Sequence, residues 1–438
     1  MGIEAYLDEQ LTPEALDASE VESRLARFTT LSMTPGELFE KLASEEIRPP
    51  QIVGELIAAT LTRHVYSPRQ LFEVMVDFWS DHFNIYVAAN PAPVLKPTDD
   101  RDVIRAHALG KFRDLLWASA HSPAMLTYLD NARSTKEGPN ENYAREIMEL
   151  HTLGVNGGYT HMDVVEVARA FTGWSITNPR DARRSGAEPG RFLFRENFHD
   201  DGAKSILGVT FPAGQGIRDG EQVIDLLAAH PSTATHVVRK LCARFISDTP
   251  PDSIVSQAAQ TFTDTDGDIR AVLRTILTSE EFAASIGQKV KRPLDFFANA
   301  LRVTNAEIEF EVRPRDPRTL FDHLAALGQV PFFWQTPDGY PDQVEAWLSN
   351  GALLARWNFA LALVGGQVPL VRPNLDGLLD GVDSVEDAVD RIATTVLGET
   401  LPSDARSIVS GYAKAAPDDM KGPGAIALML GSPHFQVR

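Results

Sequence analysis

The sequence predicts an all-α fold, a multi-helix globule with a small irregular β flap and long proline-rich loops. Three observations carry that expectation. Apolar residues recur at helical spacing along most of the 438 residues, and many of these runs open on a capping residue or a proline. Strand-like alternation is confined to residues 178–220, where RFLFREN and SILGVTF lie among Gly, Pro, Arg and Asp. No strand–helix alternation supports a parallel sheet, and no internal repeat of fixed period occurs.

The punctuation suggests four segments of one compact unit: helices at 1–66, a helical core at 67–177, the flap at 178–220 and a helical region at 221–438. In the first, Thr34-Pro35-Gly36-Glu37 combines a cap, a first-turn proline and an early acid. Glu55 to Val65 reads as an amphipathic helix. Residues 69–86 are apolar almost all round, the mark of a buried helix. Glu73, Asp77 and Asp81 form its polar stripe, and His82 falls on another face beneath Phe78. Residues 87–100 read as a proline-rich loop, followed by a helix from Asp102 to Ser119. Ser122-Pro123 opens the next helix, which Asp130 and Asn131 end.

The most informative stretch is Asn140 to Trp174, NENYAREIMELHTLGVNGGYTHMDVVEVARAFTGW. It reads as a helix capped by Asn140, a turn at Gly154, Gly157 and Gly158, and a second helix. Tyr143, Ile147 and Leu150 form an apolar stripe. Asn142, Glu146 and Glu149 share a face a quarter-turn away, so two carboxylates fall at the edge of a core. Arg145 stands one turn from both Glu141 and Glu149 and can neutralise either. His151 falls on the opposite side if the helix stays regular. Salt-bridged helix faces are the commoner fate of such glutamates. The sharper expectation is a carboxylate site in which burial raises one pKa and a neighbouring charge holds the other low.

This stretch resembles the signature of the bacterial family known as domain of unknown function 1800. FWSDHFNI (78–85), SPAMLTYLDN (122–131), FHDDGAKSILG (198–208) and PFFWQTPDGYP (331–341) match the family in the same order across nearly the whole chain. The family's name records no activity, so the resemblance implies where to look more than what to expect. It draws His82, Trp79 and Trp174 into the candidate site with the stretches that hold them. Its members often carry further N-terminal residues and export signals. The chain as given reads as cytoplasmic, or as exported if its N-terminus has been trimmed.

Composition narrows the function classes. Sixty acidic against 41 basic residues give a formal charge of −19, which argues against nucleic acid and anionic membranes as partners. No apolar run is long enough to span a membrane. The single Cys242 reads as a small buried hydrophobe. No glycine-rich phosphate loop, Gly-x-Ser-x-Gly elbow, zinc-finger spacing or His-Glu-x-x-His pair occurs. Asp264-Thr-Asp266-Gly-Asp268 has its glycine misplaced for a calcium loop and reads as a turn and cap.

Acid–base candidates remain. Glu146 is the expected general acid, with Glu149 or Asp130 as base, nucleophile or orienting partner, and His82 and His151 in support. Asn140, Asn142, Arg145, His199 and Asp200 are candidate substrate contacts, and Arg180, Arg183 and Arg184 form a local basic cluster. The aromatic-proline loop at 313–342 offers Trp334 and Tyr340 as a stacking platform. Ser232, Asp252 and Asp268 are expected N-caps, and helices at about 343–363, 385–397, 403–415 and 423–430 close the chain. The acid-bearing helix, its glycine turn and the next helix are loosely similar to lysozyme-like hydrolases. The expectation is thus a hydrolase or lyase acting on a carbohydrate, with no cofactor. The alternatives are a divalent-metal site using the same glutamates with His82, and a non-catalytic assembly or export partner. Oligomeric state is left open.

Overall fold

Local capping signals and apolar patterning act together along this chain, and helices result almost everywhere. The computed structural model describes residues 2–179, 181–182, 186–310, 320–375 and 384–438. The basic cluster of Arg180, Arg183 and Arg184 lies outside these residues. The fold is all-α: 61% of the chain is helical, with 23 α-helices and three small two-stranded antiparallel sheets among the described residues. Two compact units are present where the punctuation suggested four consecutive segments of one. One comprises Met1–Ala59, Pro68–Ala284 and Phe332–Tyr340; the other comprises Thr60–Ser67, Ser285–Pro331 and Pro341–Arg438.

The first unit begins with α1 (Ile3–Gln10), α2 (Ser19–Leu25) and α3 (Pro35–Ala43). Thr34 and Glu37 form the reciprocal capping box their spacing predicts. α4 (Pro49–Tyr66) follows, its residues from Thr60 on counted with the second unit, and its buried Glu55 accepts from both the backbone N–H (2.8 Å) and the hydroxyl (2.7 Å) of Thr30. α5 (Gln70–His82) is the buried helix expected. Its polar stripe is consumed by ion pairs: Glu73 is clamped by Arg105 through two 2.9 Å bonds, and Asp77 faces the buried Arg244 at 3.5 Å.

The expected loop at 87–100 is instead largely helical. α6 (Ala92–Thr98) runs into a wider π-helical stretch, Asp99–Arg105. A fully buried ion pair, Lys96 to Asp99 at 2.7 Å, with Ser122 Oγ donating to the same carboxylate at 2.6 Å, holds residues that prolines alone would have kept extended. The helix expected from Asp102 to Ser119 breaks near Gly110. There Phe112 N donates to Gly267 O and Ile269 N to Gly110 O, a tertiary pairing that replaces helical bonds. α7 (Phe112–Ala120) and α8 (Pro123–Tyr128) then lead to α9 (Glu141–Glu149) and α10 (His161–Ala170).

The flap consists of two hairpins: β1 (Trp174–Ile176) with β2 (Phe192–Phe194), and β3 (Lys204–Ile206) with β4 (Val209–Phe211). α11 (Arg218–Ala228), α12 (Pro231–Phe245), α13 (Asp252–Asp264), α14 (Ile269–Leu277) and α15 (Glu280–Ala284) complete the unit. Of the expected caps, Asp268 accepts from Ala271 N. Ser232 and Asp252 lie inside their helices, which His230 and Pro251 precede; the His230 ring accepts from Ser232 N. Cys242 is fully buried, and burial pushes its thiol up to about 12, consistent with a packing role.

The second unit holds α16 (Pro293–Val303), β5 (Glu307–Ile308), α17 (Leu320–Leu327), α18 (Val344–Trp347), α19 (Asn350–Val364), β6 (Val371–Arg372), α20 (Val385–Leu397), α21 (Ser403–Ala415), α22 (Asp418–Gly431) and α23 (Pro433–Gln436). Within it, Phe297 stacks on Phe359, and Phe296 meets Phe359 and Phe435 edge to face. The helix expected at 343–363 is two, because Ser349 caps a fresh start at Asn350. α22 begins five residues before Pro423, which it accommodates internally.

Glu55 supplies a testable constraint. Glu55→Ala leaves the Thr30 N–H buried without its acceptor and is expected to lower stability by about 1–3 kcal/mol. A urea midpoint that stays at the wild-type value would show that this bond does not hold α4 in place.

Candidate functional site

The site grows out of α9. Pro139 and Asn140 set its start: the Asn140 side chain accepts from Asn142 N at 2.8 Å. Its core face, Tyr143, Ala144, Ile147 and Met148, is buried, and Glu146 and Glu149 stand half-buried at the margin of that face, as the wheel predicts.

A helix end leaves carbonyls without intrahelical partners, and here most of them find one. Glu146 O takes Leu150 N at 2.9 Å and His151 N at 3.0 Å, the second an i to i−5 bond that widens the last turn. Met148 O takes Leu153 N, and Ile147 O takes the Thr152 hydroxyl at 2.6 Å. Beyond them, Leu150 O accepts from His236 Nε2 at 3.1 Å and His151 O from His82 Nε2 at 3.0 Å. A carbonyl can only accept, so both Nε2 atoms carry their protons. Gly154 (φ +79) completes the turn where the His236 ring leaves no room for a Cβ.

The widened turn drives His151 into the core, 4.9 Å from Phe83 and 6.1 Å from His82 between ring centres. Both of its nitrogens lack a partner among the described residues. His151 therefore does not join the glutamates, and His82, stacked under Phe78 as expected, does not either. Burial and the nearby Lys240 hold all three rings neutral: His82 well below its usual range, His151 at about 3 and His236 at about 4.

Different residues meet the two glutamates. Burial raises the Glu146 pKa above the ordinary carboxylate value, Glu149 and Asp338 add to the rise, and Arg145 opposes it. Arg145 is itself engaged by Glu141 at 3.0 Å, so of its two possible partners it takes the one outside the site. Glu149 accepts from the Tyr159 hydroxyl at 3.4 Å. Burial, Asp338 and Glu146 push the Tyr128 phenol up to about 12.

Asp338 arrives on the aromatic loop Phe332–Tyr340. Asn84 Nδ2 donates to the carbonyls of Trp334 (3.0 Å) and Thr336 (2.7 Å), and Tyr128 donates to that of Gln335 (2.7 Å). At Gly339 (φ +74) a Cβ would fall 2.1 Å from Asp81 O, so only glycine lets the loop seat. Trp334 donates to Asp338 at 2.9 Å and packs 5.0 Å from Tyr340.

The remaining candidates lie elsewhere. Asp130 is exposed in a left-handed turn (φ +61), and its neighbour Asn131 is the buried residue, donating to Phe171 O and Trp174 O. Trp79 and Trp174 are core residues with no exposed surface rather than ligand contacts; Trp79 donates to Ala108 O, and Trp174 lies on Gly220. His199 is buried between Thr172 O (2.8 Å) and Asp219 (3.1 Å), with Lys204 on the same carboxylate. Asp200 is held below the usual carboxylate range by Arg169. His199 and Asp200 thus tie the flap to α10 and α11. Asn140 and Asn142 sit at the first turn of α9, one as its cap and the other exposed.

Asp338, Tyr128, Tyr159 and Asn84 are the members that sequence reasoning missed. Pro-Asp-Gly reads as a turn, and a tyrosine in an apolar helix reads as core. The only signal was that all but Tyr159 lie in segments outside the signature stretch that match the same family. Among the described residues no three His, Cys, Asp or Glu side chains are arranged to hold a metal ion, and no helix is long and apolar enough to cross a membrane.

An all-α fold with a carboxylate pair beside a docked aromatic loop is the architecture to be placed. The family described as "Protein of unknown function (DUF1800)" matches residues 1–437, and the chain belongs to it. No curated protein and no solved structure matches the chain.

The imidazole cluster sets an acid limit on the fold. The folded pKa values of these rings lie below their ordinary 6.5, so the unfolded chain binds more protons as pH falls through that range. Stability is expected to drop from about pH 6.5 toward 4, by about 1.4 kcal/mol per pH unit for each ring that protonates on unfolding. Urea melts between pH 7 and 4.5 measure the slope, which His236→Asn should reduce by removing one titrating ring. An unchanged slope in that variant would show that His236 is not neutral in the folded state.

Proposed function

We propose that the carboxylates of α9, beside the aromatic loop, perform acid–base cleavage of a glycosidic bond. The observation that carries this reading is Glu146: a half-buried carboxyl whose pKa is raised by desolvation and by Glu149 and Asp338, set beside a loop that carries Trp334 and Tyr340. A raised carboxyl pKa suits a general acid near neutral pH, and aromatic rings suit the apolar face of a sugar.

In this scheme Glu146 delivers its proton to the leaving glycosidic oxygen as the bond to the anomeric carbon breaks. Glu149, oriented by Tyr159, takes a proton from the water whose oxygen bonds to that carbon. Burial, with Glu149 and then Asp338 (held by Trp334), raises the Glu146 pKa and so favours its acid form before the step. Trp334 and Tyr340 position the sugar ring. A metal-assisted hydrolysis at the same glutamates is less well supported, because His82, the ligand such a site would recruit, is engaged with His151 O in the core.

Reducing-end release from a broad panel of polysaccharides, with wild type and Glu146→Gln compared, tests the proposal. The variant is expected to lose activity by roughly 10²–10⁴-fold. Its melting temperature at neutral pH should be unchanged or higher, because a carboxyl whose pKa is raised by folding opposes folding above its unfolded pKa and the amide does not. That gain should vanish at acid pH, where Glu146 is protonated in both states. Absence of release from every polymer, with a lower melting temperature for Glu146→Gln, would overturn the scheme in favour of a structural or partner-binding role.

A further inference from the structure

The second unit carries an apolar slot that shares no residue with the carboxylate site. α19 is apolar on both faces, a pattern usually found in enclosed helices. Yet Leu354, Trp357 and Leu361, at i, i+3 and i+7, are 53%, 48% and 60% exposed. α22 packs beside it and presents Gly424, Ala427 and Gly431 at the same spacing, a strip almost without side chains.

Two aromatic rings stand on that strip. Tyr412 of α21 lies over Gly424, where a Cβ would fall 2.0 Å from its hydroxyl oxygen. Trp357 lies over Gly431, with a Cβ distance of 3.1 Å, and its Nε1 donates to Gly431 O at 2.8 Å. The two glycines are seven residues apart, so the rings are rooted about 10 Å from each other along one helix. The cavity they help enclose measures about 610 Å³, within the size of ordinary small-molecule sites.

Among the described residues no charged side chain lines this cavity, in a protein of formal charge −19. A charged group would lose its hydration there without compensation. A second copy of the chain would bring two strongly acidic molecules together with nothing in the lining to offset their repulsion. A neutral small molecule meets neither penalty.

The geometry points to a binding site for a small, uncharged apolar molecule, chain-like or planar, lying along α22 between Trp357 and Tyr412. Titration of the full chain with the uncharged fluorophore N-phenyl-1-naphthylamine tests this. One saturable site per chain is expected, unaffected by Glu146→Gln. Leu361→Asp and Leu428→Glu, both at partly exposed positions, should each weaken binding by about tenfold or more while leaving the melting temperature unchanged. Absence of saturable binding, or binding undiminished in both variants, would overturn the assignment. So would concentration-dependent dimerisation that Leu361→Asp abolishes, since the slot would then belong to a second copy.

Discussion

The two carbonyls just past the end of α9, those of Leu150 and His151, are the constraint on which the first unit depends. Each is capped by an imidazole from a different helix, His236 of α12 and His82 of α5. Side-chain capping satisfies groups whose burial without partners would be strongly unfavourable. It also fixes where α9 stops, how far its last turn widens and which way His151 points. The rings perform this task as neutral donors, and their burial keeps them so.

With the end of α9 held, its glutamates have little freedom. The face formed by Tyr143, Ile147 and Met148 is anchored in the core, which leaves Glu146 and Glu149 at its margin. The nearest cation, Arg145, is drawn away by Glu141. Like charge is thereby concentrated rather than neutralised, and Asp338 adds to it from a distant part of the sequence. Structural helix faces usually pair such charges. A face that leaves them opposed and partly desolvated next to aromatic rings is the feature on which the proposed chemistry rests.

Much of this was legible in the sequence. The capping box at Thr34, the cap at Asn140, the buried character of α5 and the margin position of Glu146 and Glu149 all follow from local rules. Tertiary pairing decided what those rules missed. The region of Pro91 and Pro97 turned helical around the Lys96–Asp99 pair, and the helix after Asp102 broke because residues 110–112 bond to 267–269. His151 was unreadable because an ideal wheel assumes a regular last turn, and the i to i−5 bond removes that assumption. Asp338 was missed because nothing local connects a Pro-Asp-Gly turn to a helix nearly 200 residues earlier. His199 and Asp200 carried chemistry-bearing side chains yet serve as ties, a difference set entirely by partners such as Asp219 and Arg169.

The loop that brings Asp338 belongs to the first unit, although the residues on either side of it belong to the second. This has a consequence for biosynthesis. By the time Ala284 has been made, the helices of the first unit have been synthesised, but the carboxylates of α9 still lack Trp334, Asp338 and Tyr340 beside them. At ordinary translation rates the missing wall follows roughly 3–10 s later. Until then Glu146 lacks one of the groups that raise its pKa, and Asn84 and Tyr128 lack the carbonyls they later donate to. The surroundings of these carboxylates are thus among the last parts of the first unit to mature, and an unfinished chain cannot display them.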